Sequence, residues 1–131
     1  MPWLLPGIAP ATTAARSPVP VIGAVNGTAI GAGAPAISAN GRFVAFISYA
    51  SVVSGDTNGA ADVFVRDRWN GTVERVNVSS SGAQADDGSE YVELSGDGRF
   101  VMFASRATNL VADDTNDAED VFVRDRTTGL T

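Results

Sequence analysis

The chain contains no histidine, no cysteine and no lysine, and its nine basic residues are all arginine. Without histidine there is no Ser-His-Asp triad and no imidazole base near neutral pH. Without cysteine there is no thiolate nucleophile, disulfide or cysteine-ligated zinc, and either redox compartment suits the chain. Without lysine there is no Schiff base and no phosphate-binding-loop lysine. Only carboxylates, hydroxyls and guanidinium groups remain for chemistry. No apolar run approaches the roughly 20 residues that span a bilayer. Positive charge is scarce: the net charge is −6 over 131 residues, and between Asp86 and Asp125 eleven acids face only Arg99, Arg106 and Arg124. That field repels phosphate backbones and disfavours nucleic acid, while a cationic partner or a divalent cation suits it.

What the chain does have is a repeat. Residues 38–71 open with SANGRFVAFIS and continue to DTNGAADVFVRDR; residues 95–129 open with SGDGRFVMFAS and continue to DTNDAEDVFVRDR. The offset is 57 residues at the start of the unit and 58 at its end, with one gap near Asn109. A repeat of this length is one supersecondary unit that buries its apolar faces by stacking on copies of itself.

Each unit reads as four short antiparallel strands. Asn40-Gly41 and Asp97-Gly98 lie between apolar runs, and such pairs favour the positive φ angles of tight hairpins. Ala36–Ser38 is therefore expected to pair with Arg42–Ser48, and Val92–Ser95 with Arg99–Ser105. RFVAFI and RFVMFA are apolar at consecutive positions, which suits strands covered on both faces. DVFVRDR recurs at Asp62–Arg68 and Asp120–Arg126 as a third strand. Thr72–Val78 reads as a half-exposed outer strand, and Ser79–Ser89 as a connector without apolar period. Val19–Val25, containing Pro20, fits the outer strand of a preceding unit, where a missing N–H costs little. The organisation expected is 1–18 as a disordered tail or weak leader, 19–34 as a preceding outer strand with connector, 35–78 as the first unit, 79–90 as a connector, and 91–131 as a second unit lacking its outer strand. The leader reading is weak because Trp3–Ala9 is short, is broken by Pro6 and follows no basic residue.

These two motifs together resemble the WD-like β-propeller repeat of TolB-type proteins. The resemblance covers about residues 35–131, and 19–34 more loosely. It implies an all-β fold of four-stranded blades, here about two of them, where rings have roughly four to eight. It also implies a non-enzymatic module for protein interaction or scaffolding, a periplasmic or secreted location, and in some relatives an accessory role beside a hydrolase domain. The chain is then expected to be a fragment of a longer propeller, or to close head to tail, with Val19–Val25 of one copy completing the open third strand of another.

Two loops are candidate cation sites. Asp56, Asn58 and Asp62 place oxygen donors at positions 1, 3 and 7, and Asp114, Asn116 and Asp120 repeat them, joined by Asp117 and Glu119. Ca²⁺ wants six to eight such oxygens, which would make the chain a calcium-dependent module. The spacing departs from an EF-hand loop, with Gly59 at position 4 and no Glu at 12. The alternative is an Asx turn, with Asp62 capping the third strand. Arg66-Asp67-Arg68 and Arg124-Asp125-Arg126 occur in both units, as a structural strut would, so Asp67 is expected to accept from the following turn or from an arginine of an adjacent strand. Glu90 and Glu93 beside Tyr91 read as acids on a strand rather than a glycosidase pair. Trp69 replaces Thr127 of the other unit at a solvent-facing turn. No catalytic residue is expected.

Overall fold

The computed structural model of the chain describes residues 34–131. Those residues are all-β, without helix, and form seven strands: β1 (Ala36–Ile37), β2 (Phe43–Ser48), β3 (Asp62–Asp67), β4 (Thr72–Arg75), β5 (Ser89–Leu94), β6 (Phe100–Ser105) and β7 (Asp120–Asp125). They make two antiparallel sheets, β1-β2-β3-β4 and β5-β6-β7. The expected strand Val19–Val25 and the expected tail or leader lie outside the described residues. No helix among the described residues is long and apolar enough to cross a membrane.

The hairpins form where Asn40-Gly41 and Asp97-Gly98 place them, but only the glycines take positive φ, +70° and +74°. Asn40 and Asp97 contribute their side chains instead: each accepts from the hydroxyl two residues before it and the amide two residues after it. That chelation holds the four-residue turn without a left-handed Asx residue.

β5 begins at Ser89 rather than Val92, so the expected connector is shorter. Ser89 is buried and donates to Ser105 Oγ at 3.1 Å, which draws the strand start inward. The register then shifts at Tyr91, which has φ +46°: a β-bulge lets the strand reach both Ser105 and Leu94's partner Val101. The connector itself is ordered, with Val78 bridging Gln84 and a turn from Ser79 to Ala83.

One core joins the sheets. Ala45, Ile47, Val63 and Val65 of sheet 1 pack with Val92, Val101, Phe103 and Phe122 of sheet 2. Within each sheet an aromatic pair sits directly across β-strands: Phe46 on Phe64 with ring centres 5.7 Å apart, and Phe103 on Phe122 at 5.8 Å. All four rings are buried, as their equivalence in the repeat predicts.

Coverage on both faces holds for sheet 1 only. Val44, Phe46 and Phe64 are buried as well as Ala45, Ile47, Val63 and Val65. In sheet 2 the second face is open: Val121 and Val123 are 67% and 50% exposed, where their equivalents Val63 and Val65 are 0% and 1%. The same Asp-Val-Phe-Val-Arg-Asp segment thus occupies two environments, because a sheet's alternation supplies two apolar faces whether or not a neighbour covers both.

Candidate functional site

The acid loops, the strands behind them and the free side of β7 form the region of interest. In the first loop Asn58 makes the expected Asx turn: the Ala60 amide donates to Asn58 Oδ1 at 3.0 Å, and Asn58 Nδ2 donates to Asp62 Oδ1 at 3.1 Å and to the Ala85 carbonyl at 3.0 Å. The second loop repeats this turn, with Ala118 N donating to Asn116 Oδ1 at 3.0 Å and Asn116 Nδ2 to Asp120 Oδ1 at 3.2 Å.

In the first loop the charge opposite the carboxylates comes from β4. Arg75 Nη1 lies 3.5 Å from both Asp56 Oδ1 and Asp62 Oδ2. The same nitrogen donates to Gln84 Oε1 at 2.8 Å, and Nη2 donates to the Gly55 carbonyl at 3.3 Å. Asp62 is fully buried, and among the described residues its Oδ2 has no hydrogen-bond partner beyond that ionic contact. Burial, and next the negative charge of Asp62, push Asp56 above the ordinary carboxylate range, with Arg75 opposing.

Asn77, two residues beyond Arg75, completes the arrangement. Its Oδ1 accepts the Val63 amide at 3.1 Å, and its Nδ2 donates to Asp62 Oδ1 at 2.6 Å and to Ser89 Oγ at 3.0 Å. The side chain replaces a ladder bond at the end of β4, where Val76 N still donates to Val63 O. From Asn77 the polar chain runs through Ser89 and Ser105 to the Gly88 carbonyl, tying the sheets together.

The Asp67 and Asp125 struts form as expected. Arg42 binds Asp67 through Nε at 3.0 Å and Nη2 at 2.6 Å, and Arg99 binds Asp125 in the same fork. Each carboxylate also accepts from the turn that follows, at Trp69 and Asn70 or at Thr127 and Thr128. These bonds, led by the Arg42 guanidinium, lower Asp67 to about 2; Asp125 is likewise held well below the carboxylate range. Trp69 lies at the turn with the Arg42 guanidinium 5.0 Å from its ring centre.

Glu90 and Glu93 straddle the bulge on β5. Glu90 lines a cleft of 280 Å³ with Tyr49, Asp87, Arg106 and Glu119, and Glu93 does not. Among the described residues no group of three or more Asp, Glu, His or Cys gathers as a metal site would require. Sequence reasoning missed Arg75 and Asn77. Both lie in the expected outer strand Thr72–Val78, of which the structure keeps Thr72–Arg75 as β4 with Asn77 just beyond its end; present in one unit only, they carry no signal from the repeat.

No family model matches the chain, and no curated protein matches it.

Proposed function

We propose that this chain is a stacking module of the TolB-like β-propeller type, a non-enzymatic unit for protein interaction or scaffolding whose second sheet receives a further sheet of the same kind. One observation carries the reading: the face of sheet 2 that is equivalent to the buried Ala45–Ile47–Val63–Val65 face is open at Met102, Val121 and Val123. Monomeric proteins seldom leave a contiguous apolar face of this kind to water.

The junction between the two sheets indicates what would cover it. Phe43 is half-buried against the turn of the next unit, with Gly98 against its ring and the Arg126 guanidinium 4.3 Å from the ring centre. Phe100, its equivalent, is 40% exposed. A further unit would bring its own glycine turn and arginine onto Phe100. Repetition of the polar clusters in both units favours a structural and binding role over catalysis, since a strut is needed in every unit and a catalytic group once.

Sedimentation velocity over a concentration series tests this. The wild-type chain is expected to associate, and Val121→Asp with Val123→Asp is expected to abolish association while leaving the β-rich far-UV spectrum unchanged. A wild-type chain that stays monomeric, and whose melting temperature is unchanged by appending a third repeat after Thr131, would remove the stacking reading.

A further inference from the structure

The two units meet at one end of their strands, and the cleft between them takes residues from both. Tyr49 follows the last residue of β2, and Arg106 follows the last of β6. Ala61 precedes the first residue of β3, and Glu119 precedes the first of β7. At the repeat offsets of 57 and 58, Tyr49 is equivalent to Arg106 and Ala61 to Glu119. The struts and Asx turns recur unchanged in both units. These two positions do not: a phenol becomes a guanidinium and a methyl becomes a carboxylate. A group that the fold needs is written in every unit, whereas the charges of this cleft are written once. Glu119, which in the sequence belongs with the second acid loop, lines the cleft with Asp87 and Glu90.

The backbone around the cleft is tied. Its buried lining residues Ala61 and Ser89 are joined across the unit boundary, the Ser89 amide donating to the Ala61 carbonyl at 2.8 Å. The Gly88 carbonyl accepts from the Arg106 amide at 3.3 Å and from Ser105 Oγ at 2.9 Å. Asp86, next to Asp87, accepts the Thr108 amide and hydroxyl at 2.8 and 2.9 Å. The side chains are uncommitted by comparison. Among the described residues Arg106 enters no ion pair, although three carboxylates line the same cleft, and none of those three enters one either. Asp87 accepts only the Gly88 amide, at 2.6 Å. One positive and three negative groups therefore stand apart from each other in one concave space on a fixed frame, which is how a polar site is preorganised.

We propose that this cleft binds a free dibasic α-amino acid of the lysine type. The ligand carboxylate takes Arg106, whose planar fork matches it. The α-ammonium and the side-chain ammonium take the acids Asp87, Glu90 and Glu119. The Tyr49 ring lies against the side-chain stem or its cation. Size and charge both narrow the class. At 280 Å³ the cleft stands at the small end of ligand pockets, which run to about 300–1,000 Å³. A neutral amino acid leaves two of the three acids without a cation. A diamine leaves Arg106 without an anion. The site lies between the two units and is independent of the face and edge of β7.

The test adds L-lysine, norleucine and cadaverine in turn to the ¹⁵N-labelled full chain. Norleucine lacks the side-chain ammonium, and cadaverine lacks the carboxylate. Saturable shifts are expected at the amides of Gly88 to Glu90 and of Arg106, with lysine binding about tenfold or more tighter than either analogue, the scale of one charge-assisted contact. Arg106→Gln should weaken lysine and abolish its advantage over cadaverine. Glu119→Ala, which restores the residue type of the first unit, should weaken lysine while leaving the melting temperature of the unliganded chain unchanged. Glu93→Gln, an acid of the same strand as Glu90 but outside the cleft, should bind lysine as the parent does. Absence of saturable shifts at millimolar lysine overturns the proposal. So does equal binding of lysine and cadaverine, which would reduce the effect to the attraction of an acidic surface for any cation, and so does a loss at Glu93→Gln equal to that at Glu119→Ala.

Discussion

Phe43 and Gly98 meet so closely that position 98 has no room for a side chain: a Cβ built there lies 2.2 Å from Phe43 Cδ2. Gly41 is the equivalent glycine of the first unit, with nearly the same φ, and a Cβ there meets nothing nearer than Arg68 Nη1 at 3.6 Å. Both positions carry the left-handed penalty of roughly 1–2 kcal/mol for an L-residue. Only Gly98→Ala adds a clash, worth about 1–3 kcal/mol more when a packed ring must move. Urea titration should therefore rank Gly98→Ala well below Gly41→Ala. Equal midpoints would show that the contact between the sheets is looser than the geometry indicates.

The aromatic pairs make a second prediction. Phe103→Ala and Phe122→Ala each remove a buried ring and should cost about 3–5 kcal/mol. Val121→Ala, one residue away and 67% exposed, should fall within about 0.5 kcal/mol of the parent, as exposed sites do. Thermal melts of the three variants check the orientation of β7 directly, because a one-residue slip would exchange the two outcomes.

Acid sensitivity follows from Asp67. Its folded value of about 2 lies below the ordinary 3.8, so the unfolded chain takes up the proton first as pH falls. The stabilisation is complete above about pH 4 and is lost as pH drops from there through about 2. Asp125, also depressed, acts in the same direction. Denaturant midpoints measured from pH 6 to pH 2 should fall in that window. The combined Asp67→Asn, Asp125→Asn variant should start lower at neutral pH and fall less.

Asn77 is buried and makes three bonds. Asn77→Ala leaves the Val63 amide and part of Asp62 without partners, at a cost on the order of 2–4 kcal/mol. Asn77→Asp should be worse, since it faces Asp62 with a second carboxylate across a 2.6 Å contact. Its deficit should narrow as pH is lowered toward the carboxylate range, which the alanine variant's should not. Chemical denaturation of the two variants at two pH values separates lost bonding from added repulsion.

Much of this was legible because it was written twice. The hairpins at Gly41 and Gly98, the Phe46–Phe64 and Phe103–Phe122 pairs, the Asp67 strut and the Asx turns all lie within the repeated segments, where coincidence of residue type at fixed spacing exposes a shared role. What was hidden lies outside that comparison. Arg75 and Asn77 occur in one unit only, so nothing distinguished them from ordinary outer-strand polar residues. The bulge at Tyr91 depends on Ser89 being drawn to Ser105, a contact sixteen residues away in sequence. The open face of β7 was hidden for a different reason: Val121 and Val123 have the same sequence context as Val63 and Val65, and exposure is a property of the neighbour.

That shared context bears on solubility. An apolar Val-Phe-Val triplet at an unpaired edge is the kind of segment that seeds cross-chain sheet growth. Asp120 stands before it and Arg124-Asp125 after it, charges that resist such pairing in the manner of gatekeepers. In β3 the leading acid of the identical segment, Asp62, is spent instead on Asn77 and Arg75, while the trailing acid is paired in both units, Asp67 with Arg42 and Asp125 with Arg99. One hexapeptide thus holds its leading acid toward solvent on one strand and against Asn77 and Arg75 on the other, so the same charge guards an edge where it is open and fastens it where it is covered.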